Sequence, residues 1–491
     1  MGMQSMNSVI IERLPRIEGR VRVVMQQSEE DLRILLESGR TTHLENRLIG
    51  RYPLEAIHFT QTLSAKSCAA HAIASTMALE NYLDIEPTVM AQRIRSVVLK
   101  LSAIHSHIRH FYWELLPDYI NGNHFNHRSI RELGLYFDLE QREEEPGDLP
   151  VPQGEQILGT LPIAADALRQ IQWILTDLTG KFPGVMHLIP GGIANFSMDR
   201  RLSMSILRSL ERLKNFIETI WLQDVKRFVR DIPETTVVFD GSLNLVSFGS
   251  LPAVDSDSQT LNYSPGIFLN GKLEPVNELK ITDSLAHTYY LPSERGRPPA
   301  ENFDPNRADA YTCIKGARYD TETMSTGALP RMLITHFGGG DMQVSDAVVK
   351  LIDDLGLLPE SPNCIATRML AEVFESRFYL KSLIVNLINL DEKTPLNRKM
   401  EFDFSAQGSG IGKVEAPGGS LLHQVFIEGG RIEQYRIVSP TNWNFSTWDE
   451  FGKTGIVESE LNKLSRNYML NSVQVGRILH SYNVSVVDGT R

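Results

Sequence analysis

From Pro53 to Asn121 the sequence keeps a single period. Ala69, Ala70, Ile73, Met77 and Leu79, then Met90, Ile94, Val97, Val98 and Leu101, recur mostly at three- and four-residue steps. That spacing lines one face of a helix, so the stretch predicts two helices, each with a buried stripe. Leu161–Leu178 repeats the pattern, with Pro162 in a first turn, where a missing N–H is tolerated. Leu202–Phe228 predicts a long amphipathic helix, and 344–357 and 364–389 predict two more. A last helix, near Glu458–Arg466, precedes a strand-like tail, Val475–Val487. The β signals are shorter. Residues 8–27 alternate apolar and charged positions around Pro15, and Val425–Val438 alternates about Gly429-Gly430 as a hairpin. Residues 232–310, rich in Pro, Gly, Asp and Ser with β-type runs at Thr235–Phe239 and Leu243–Phe248, read as a β-rich insertion or a small subdomain. Glu143–Gly154, acidic and Pro-rich, predicts a surface loop.

Composition narrows the partners. The net charge of −11 offers no basic face for phosphate backbones, so no nucleic-acid partner is expected. Three cysteines in 491 residues, none at CxxC spacing, exclude a disulfide scaffold and fit a reducing compartment. No apolar leader opens the sequence and no run of about 20 apolar residues occurs, so neither a signal peptide nor a membrane span is expected. These readings together predict a cytoplasmic protein.

The strongest local signal is GSGIGKVEAPGGSLLHQVFIEGGRIEQYRIVSPTNWN, residues 408–444. On its residues alone it is a Gly-rich turn, a buried Ala-Pro step and a hairpin. No helical pattern follows the glycines, which argues against a phosphate-binding loop. The segment resembles the GxGxG-x-EAPRG-x-L-x-H block, hairpin and PTxWN run of nickel–iron hydrogenase large subunits. LPRIEGRVRVV (14–24) is similar to their opening RIEGH strand, and HLENRLIGRYPLEAIHFTQ (43–61) to their GxExxLxGRxPxxAxxxxQ segment. IHSHIRHFYWELLPD (104–118) resembles a SHxxHxYxLxLPD helix of the soluble, cytoplasmic-type groups. IKGARYD…GALPRML (314–333) and VQVGRILHSYN (473–483) also match. The resemblance covers nearly the whole chain. It implies one domain over 1–491 and a mainly helical α+β fold, with a long-helix bundle at the centre and β hairpins at the periphery.

The resemblance also implies a metal site, and there the sequence departs from the pattern. The family holds nickel and iron through four cysteines, from an RxCGxC…H motif and a terminal DPCxxCxxH motif. Aligned on His71, Ser64 and Ser67 take the amino-terminal cysteine positions and Thr62 that of the arginine. Aligned on GRILHSYN, Ser485 and Asp488 take the carboxy-terminal cysteine positions, Asn483 that of the aspartate and Arg491 that of the histidine. Cys68 is one residue out of register, and Gly418 replaces the arginine of EAPRG. Soft thiolates suit nickel; hydroxyls are hard, weakly acidic donors. The expectation is therefore a chain that binds no metal or other cofactor itself. At the family's magnesium site stand Glu45 and Arg491, whose guanidinium is expected to pair with the carboxylate directly.

Glu18 matches the family's proton-relay carboxylate and is a catalytic candidate with two readings: it still relays protons, or, the reading preferred with no metal hydride to feed, it is a buried acid held by neighbouring hydroxyls. Asp488 is a candidate general base or hard-cation ligand, with a hydrogen-bonded space-filler as the plainer reading. His105, His107 and His110 sit at i, i+2 and i+5 of one helix and do not share a face, so packing and hydrogen bonding outweigh ligation. Gly338–Gly340 reads as a loop, and Trp443 and Trp448 as core or interface.

The segments that face a small subunit in the family (14–24, 43–61, 104–118) match its pattern better than the metal site does. The expected function is a hydrogenase-large-subunit-like component of an electron-transfer assembly. Its partner would be an iron–sulfur small subunit that carries the clusters, possible further redox subunits aside, and it would not activate hydrogen. One alternative is a redox enzyme using Ser64, Ser67, Ser485 and Asp488 as a polar pocket for a small substrate or hard metal. The other is an assembly scaffold for hydrogenase maturation.

Overall fold

The computed structural model describes residues 7–11, 16–19, 21–27, 32–38, 43–124, 146–194, 200–239, 243–249, 263–291, 302–388, 395–398, 401–467, 472–483 and 485–486. Helices α1 (Leu44–Leu48) and α2 (Glu55–Thr60) lead into α3 (Cys68–Leu83) and α4 (Val89–Arg109). The Thr88 side chain starts α4 by accepting from Ala91 N at 3.2 Å. A wide turn, His110–Leu115, continues α4. Then come α5 (Val151–Leu158), α6 (Leu161–Thr179), α7 (Arg200–Phe216) and α8 (Leu222–Asp231). A second wide turn, Ile217–Trp221, joins α7 to α8, so the long helix expected there runs through one loosened turn. The remaining helices are α9 (Ala328–Phe337), α10 (Met342–Leu355), α11 (Ile365–Ile388), α12 (Pro440–Asn444), α13 (Ile456–Asn467) and α14 (Ser472–Leu479).

The strands form small sheets. β1 (Asn7–Ile11), β3 (Arg22–Gln27) and β4 (Leu32–Glu37) are antiparallel neighbours, while β2 (Glu18–Gly19) stands apart. β5 (Leu188–Ile189) and β6 (Gly192–Ile193) make a short hairpin. β7 (Leu245–Ser247), β8 (Gly266–Leu269) and β9 (Lys272–Glu274) form one antiparallel sheet, and β10 (Ile281–Ser284) pairs with β11 (Gly316–Tyr319). The longest strands are β12 (Gly408–Ala416), β13 (Gly419–Glu428) and β14 (Arg431–Val438). β15 (Ser485–Val486) runs parallel to β2, with Ser485 opposite Glu18.

α4 packs against α6 and α11, and α11 against α7 and α9. This makes a helical core. The β12–β14 sheet is not at its edge, because α3 lies directly on β12 and β13. Gly410 and Gly412 make that contact. A Cβ at either would stand 2.0 Å from a carbonyl oxygen of α3, that of Ala78 or of Ala74. The glycines expected to form a turn therefore lie in a strand, where they let a helix backbone come close.

Other expectations are corrected. The loop expected over Glu143–Gly154 becomes helical from Val151, with Leu149 buried. Thr235–Phe239 is not a strand, since Pro233–Thr236 closes a tight helical turn. Val475–Leu479 of the strand-like tail lies in helix α14, and among the described residues of the tail only Ser485–Val486 is extended. Apolar runs this short do not separate a helix turn from a strand, and neighbouring helices decided the outcome.

Candidate functional site

The loop between α2 and α3 is fixed from below by Gln61. Its Nε2 donates to Ile57 O at 2.9 Å and Val185 O at 3.0 Å, and its Oε1 accepts from Val185 N at 2.8 Å. Ser64 Oγ accepts from Ser67 N at 3.1 Å, tightening the loop into a hydroxyl-closed turn. The same hydroxyl donates to Glu18 Oε2 at 2.9 Å. Ala65 N and Lys66 N complete the cradle of that carboxylate at 2.5 and 3.4 Å. Glu18 is thus held by one hydroxyl and two backbone N–H groups, and Ser485 stands beside it across the β2–β15 pair.

Ser64, Ser67, His71, Gly418, Asn483 and Ser485 line one small cavity of about 40 Å³. Six positions widely spaced in the sequence therefore meet in space. Asp488 and Arg491 lie outside the described residues. Thr62 does not reach the cavity; it is exposed and its hydroxyl donates to Phe59 O at 2.7 Å. Cys68 faces a different small cavity, with His105, Phe182 and Gly184. Burial pushes its thiol up to about 11, so it is not a thiolate at neutral pH.

His71 begins a buried chain of hydrogen bonds. Its Nδ1 meets His423 Nε2 at 3.0 Å, His423 Nδ1 meets the Tyr435 hydroxyl at 2.9 Å, and that hydroxyl donates to Ser75 Oγ at 3.0 Å. Burial lowers the pKa of His71 to about 3 and that of His423 well below its ordinary value, so both rings are neutral.

The tail is held by side chains from α4 and α11. Asn483 Nδ2 lies 2.9 Å from His107 Nδ1, and Ser106 Oγ donates to Asn483 Oδ1 at 3.0 Å. His107 Nε2 lies 2.7 Å from Glu375 Oε2, and Arg331 grips Glu375 with two bonds of 2.8 and 2.7 Å. His110 Nδ1 pairs with Glu372 at 2.9 Å, and its Nε2 donates to His480 O at 2.6 Å. Burial pushes both glutamates up, but the surrounding histidines and Arg331 outweigh it and hold them at about 2. His105 points elsewhere, to Gln172 at 3.0 Å. The three histidines therefore split between two faces.

At Glu45, where the resemblance led us to expect the magnesium position, both carboxylate oxygens accept from Lys315 Nζ at 2.7 Å, and Oε1 also accepts from Ile437 N at 2.7 Å. The cation on Glu45 among the described residues is thus Lys315. Lys315, Arg331 and His423 were not singled out from the sequence. All three stand inside the motifs quoted above, but their roles depend on pairing across hundreds of residues.

The family model for nickel-dependent hydrogenases matches residues 43–128 and 163–485. The chain belongs to the nickel-dependent hydrogenase family. The periplasmic [NiFeSe] hydrogenase large subunit of Desulfomicrobium baculatum is 24% identical over 490 residues, covering 97% of this chain and 93% of that protein. The Escherichia coli hydrogenase-1 large chain is also 24% identical, with the same coverages. The structure of the Ni-Fe-Se hydrogenase from D. vulgaris Hildenborough in the reduced state superposes with a TM-score of 0.81 at 21% identity, covering 98% of this chain and 99% of that one. The α+β fold is therefore that of a hydrogenase large subunit.

Two expectations are corrected by these relatives. The expectation of a chain that binds no cofactor itself conflicts with a nickel-dependent family whose relatives are large subunits of [NiFeSe] hydrogenases, and it is withdrawn. The cytoplasmic expectation conflicts with a periplasmic relative matched along 97% of the chain, and it too is withdrawn. No described helix is long and apolar enough to cross a membrane.

The donors in the cavity do not fit a thiolate-held nickel–iron group. Ser64, Ser67 and Ser485 offer hydroxyls and His71 a neutral imidazole, while Cys68, Cys313 and Cys364 are buried away from the cavity. Whatever this cradle holds, its described side chains offer oxygen and nitrogen, not sulfur. The surroundings differ as well. A Cβ at Gly418 would stand 2.3 Å from Asn483 O, so the tail backbone occupies the space through which an arginine of EAPRG would leave.

Proposed function

We propose that this chain is the large subunit of an electron-transfer complex, docked to an iron–sulfur small subunit, in which it does not itself activate dihydrogen. The observation that carries the reading is the hydroxyl cradle, Ser64, Ser67 and Ser485 around one cavity. Soft thiolates are the donors that stabilise nickel and low-spin iron, and serine hydroxyls are several pKa units too weak as acids to replace them. The chain is read as one domain, 1–491, with 232–310 as a β-rich insertion. The relatives' designation as large subunits supports a smaller companion. Further redox subunits would join through that companion.

Purification of the chain with its companions from the cells that make it tests the reading. A co-purifying subunit with iron–sulfur visible absorption and a cluster signal on reduction is expected. A chain that purifies alone and colourless overturns it.

A second reading is favoured by one observation. Ser485 Oγ is buried and has no hydrogen-bond partner among the described residues, yet it lines the cavity. That suits a redox enzyme whose small substrate or hard metal meets Ser64, Ser67 and Ser485; Asp488, expected from the sequence to join them, lies outside the described residues. Substrate-dependent turnover that is lost in Ser485→Ala would favour this reading over the first.

A further inference from the structure

Helix α7 turns Ile206, Leu210, Leu213 and Phe216 into the core. The rest of the helix carries five cations, Arg200, Arg201, Arg208, Arg212 and Lys214, and a single acid, Glu211. All of these charged side chains are exposed. Arg201, Arg208 and Arg212 are spaced by seven and four residues, so they share one stripe, with Arg200 and Lys214 at its flanks. The row spans about 21 Å at about 1.5 Å per residue.

None of the five cations has an ion-pair partner among the described residues. On α8, by contrast, Arg227 is answered by Asp224 and Arg230 by Asp231. Like charges four residues apart on a helix, as Arg208 and Arg212 are, repel and destabilise it. A chain of net charge −11 thus concentrates unanswered positive charge on one helix face, where the fold gains nothing from it.

The shape of that face selects the partner. It is a straight, convex ridge, and Met204 is its one large exposed apolar side chain. A protein interface needs an apolar, well-packed centre, which this ridge lacks. A nucleic acid would find no aromatic side chain there for its bases. A plane of lipid phosphates touches the whole ridge at once, and guanidinium groups match phosphate oxygens with paired donors. α7 belongs to none of the segments expected to face a small subunit (14–24, 43–61, 104–118), and it packs on α6 and α11.

We infer that the α7 ridge docks the chain on an anionic membrane surface, with its arginines donating to lipid phosphates. Such attachment is peripheral, sums a small contribution from each cation and weakens with salt. It goes beyond the role of the hydroxyl cradle and stands whichever reading of that site holds.

Co-sedimentation of the full-length chain with vesicles tests it. Vesicles of phosphatidylglycerol and phosphatidylcholine in equal parts should bind the chain at low salt, and vesicles of phosphatidylcholine alone should not. Raising the salt to about 0.5 M, where the screening length is about 4 Å, should release it. Arg208→Gln and Arg212→Gln should each weaken partition by about fivefold, and Glu211→Gln should strengthen it, all with the unfolding temperature of the parent chain. Arg431→Gln, at an exposed arginine that opens β14, should leave partition unchanged. Equal binding to the two vesicles, no binding to either, or binding that survives high salt overturns the inference. So does a loss in Arg431→Gln as large as in Arg208→Gln, or tighter binding of double-stranded DNA than of anionic vesicles at equal phosphate.

Discussion

Gly418 and the carbonyl oxygen of Asn483 share a space too small for a side chain. A Cβ at 418 would stand 2.3 Å from that oxygen. The residue that departs from the family pattern and the tail that closes the cavity are therefore one structural feature. Gly418→Arg should not restore a family-like pocket. It should displace the tail and destabilise the chain by about 1–3 kcal/mol. Thermal unfolding, with limited proteolysis of the region after residue 476, measures both effects.

The tail depends on a buried ion network one layer further in. Glu375 answers Arg331 and His107 together and is fully buried. Glu375→Gln keeps the shape and removes the charge, which leaves Arg331 with Glu415 alone as its carboxylate partner. Breaking one partner out of a buried network costs about 3–5 kcal/mol, so a loss of that size is expected in denaturant unfolding.

Glu458 gives the fold a pH dependence of predictable sign. Burial pushes its carboxyl up to about 8, against hydrogen bonds from Leu36 N and the Tyr311 hydroxyl that pull it down. With the folded value above the unfolded 4.5, its stabilising contribution is complete below about pH 4.5 and is lost as pH rises through 8. Glu458→Gln should remove that decline. Unfolding free energies at pH 5 and pH 9 should then differ less than in the parent chain.

The three serines of the cavity are not equivalent. Ser64 both donates to Glu18 and accepts from Ser67 N, so Ser64→Ala should cost about 1 kcal/mol. Ser485 Oγ makes no such bond among the described residues, so Ser485→Ala should leave stability within about 0.5 kcal/mol. Thermal melts of the two variants side by side check the contrast.

How far the sequence reached follows from the range of each interaction. Helices α3, α4, α6 and α11 were legible because their apolar spacing is local. The hairpin about Gly429-Gly430 was legible because two glycines permit its turn, both with positive φ. The meeting of Ser64, Ser67, His71, Gly418, Asn483 and Ser485 was legible only through the resemblance, since no local pattern joins residue 64 to residue 485. Gly410 and Gly412 were misread because the reason for glycine there is a carbonyl on another element. Lys315 on Glu45 was missed for the same kind of reason, and α14 because eight residues are too few to show a period.

The direct measurement of the central claim is deuterium–proton exchange by the purified complex under anaerobic, reducing conditions. Exchange of D₂ with solvent protons requires cleavage of the D–D bond, and HD release reports that step without needing an electron acceptor. A hydroxyl cradle predicts HD formation no faster than in buffer alone. Sustained HD release that copurifies with this chain would contradict the account.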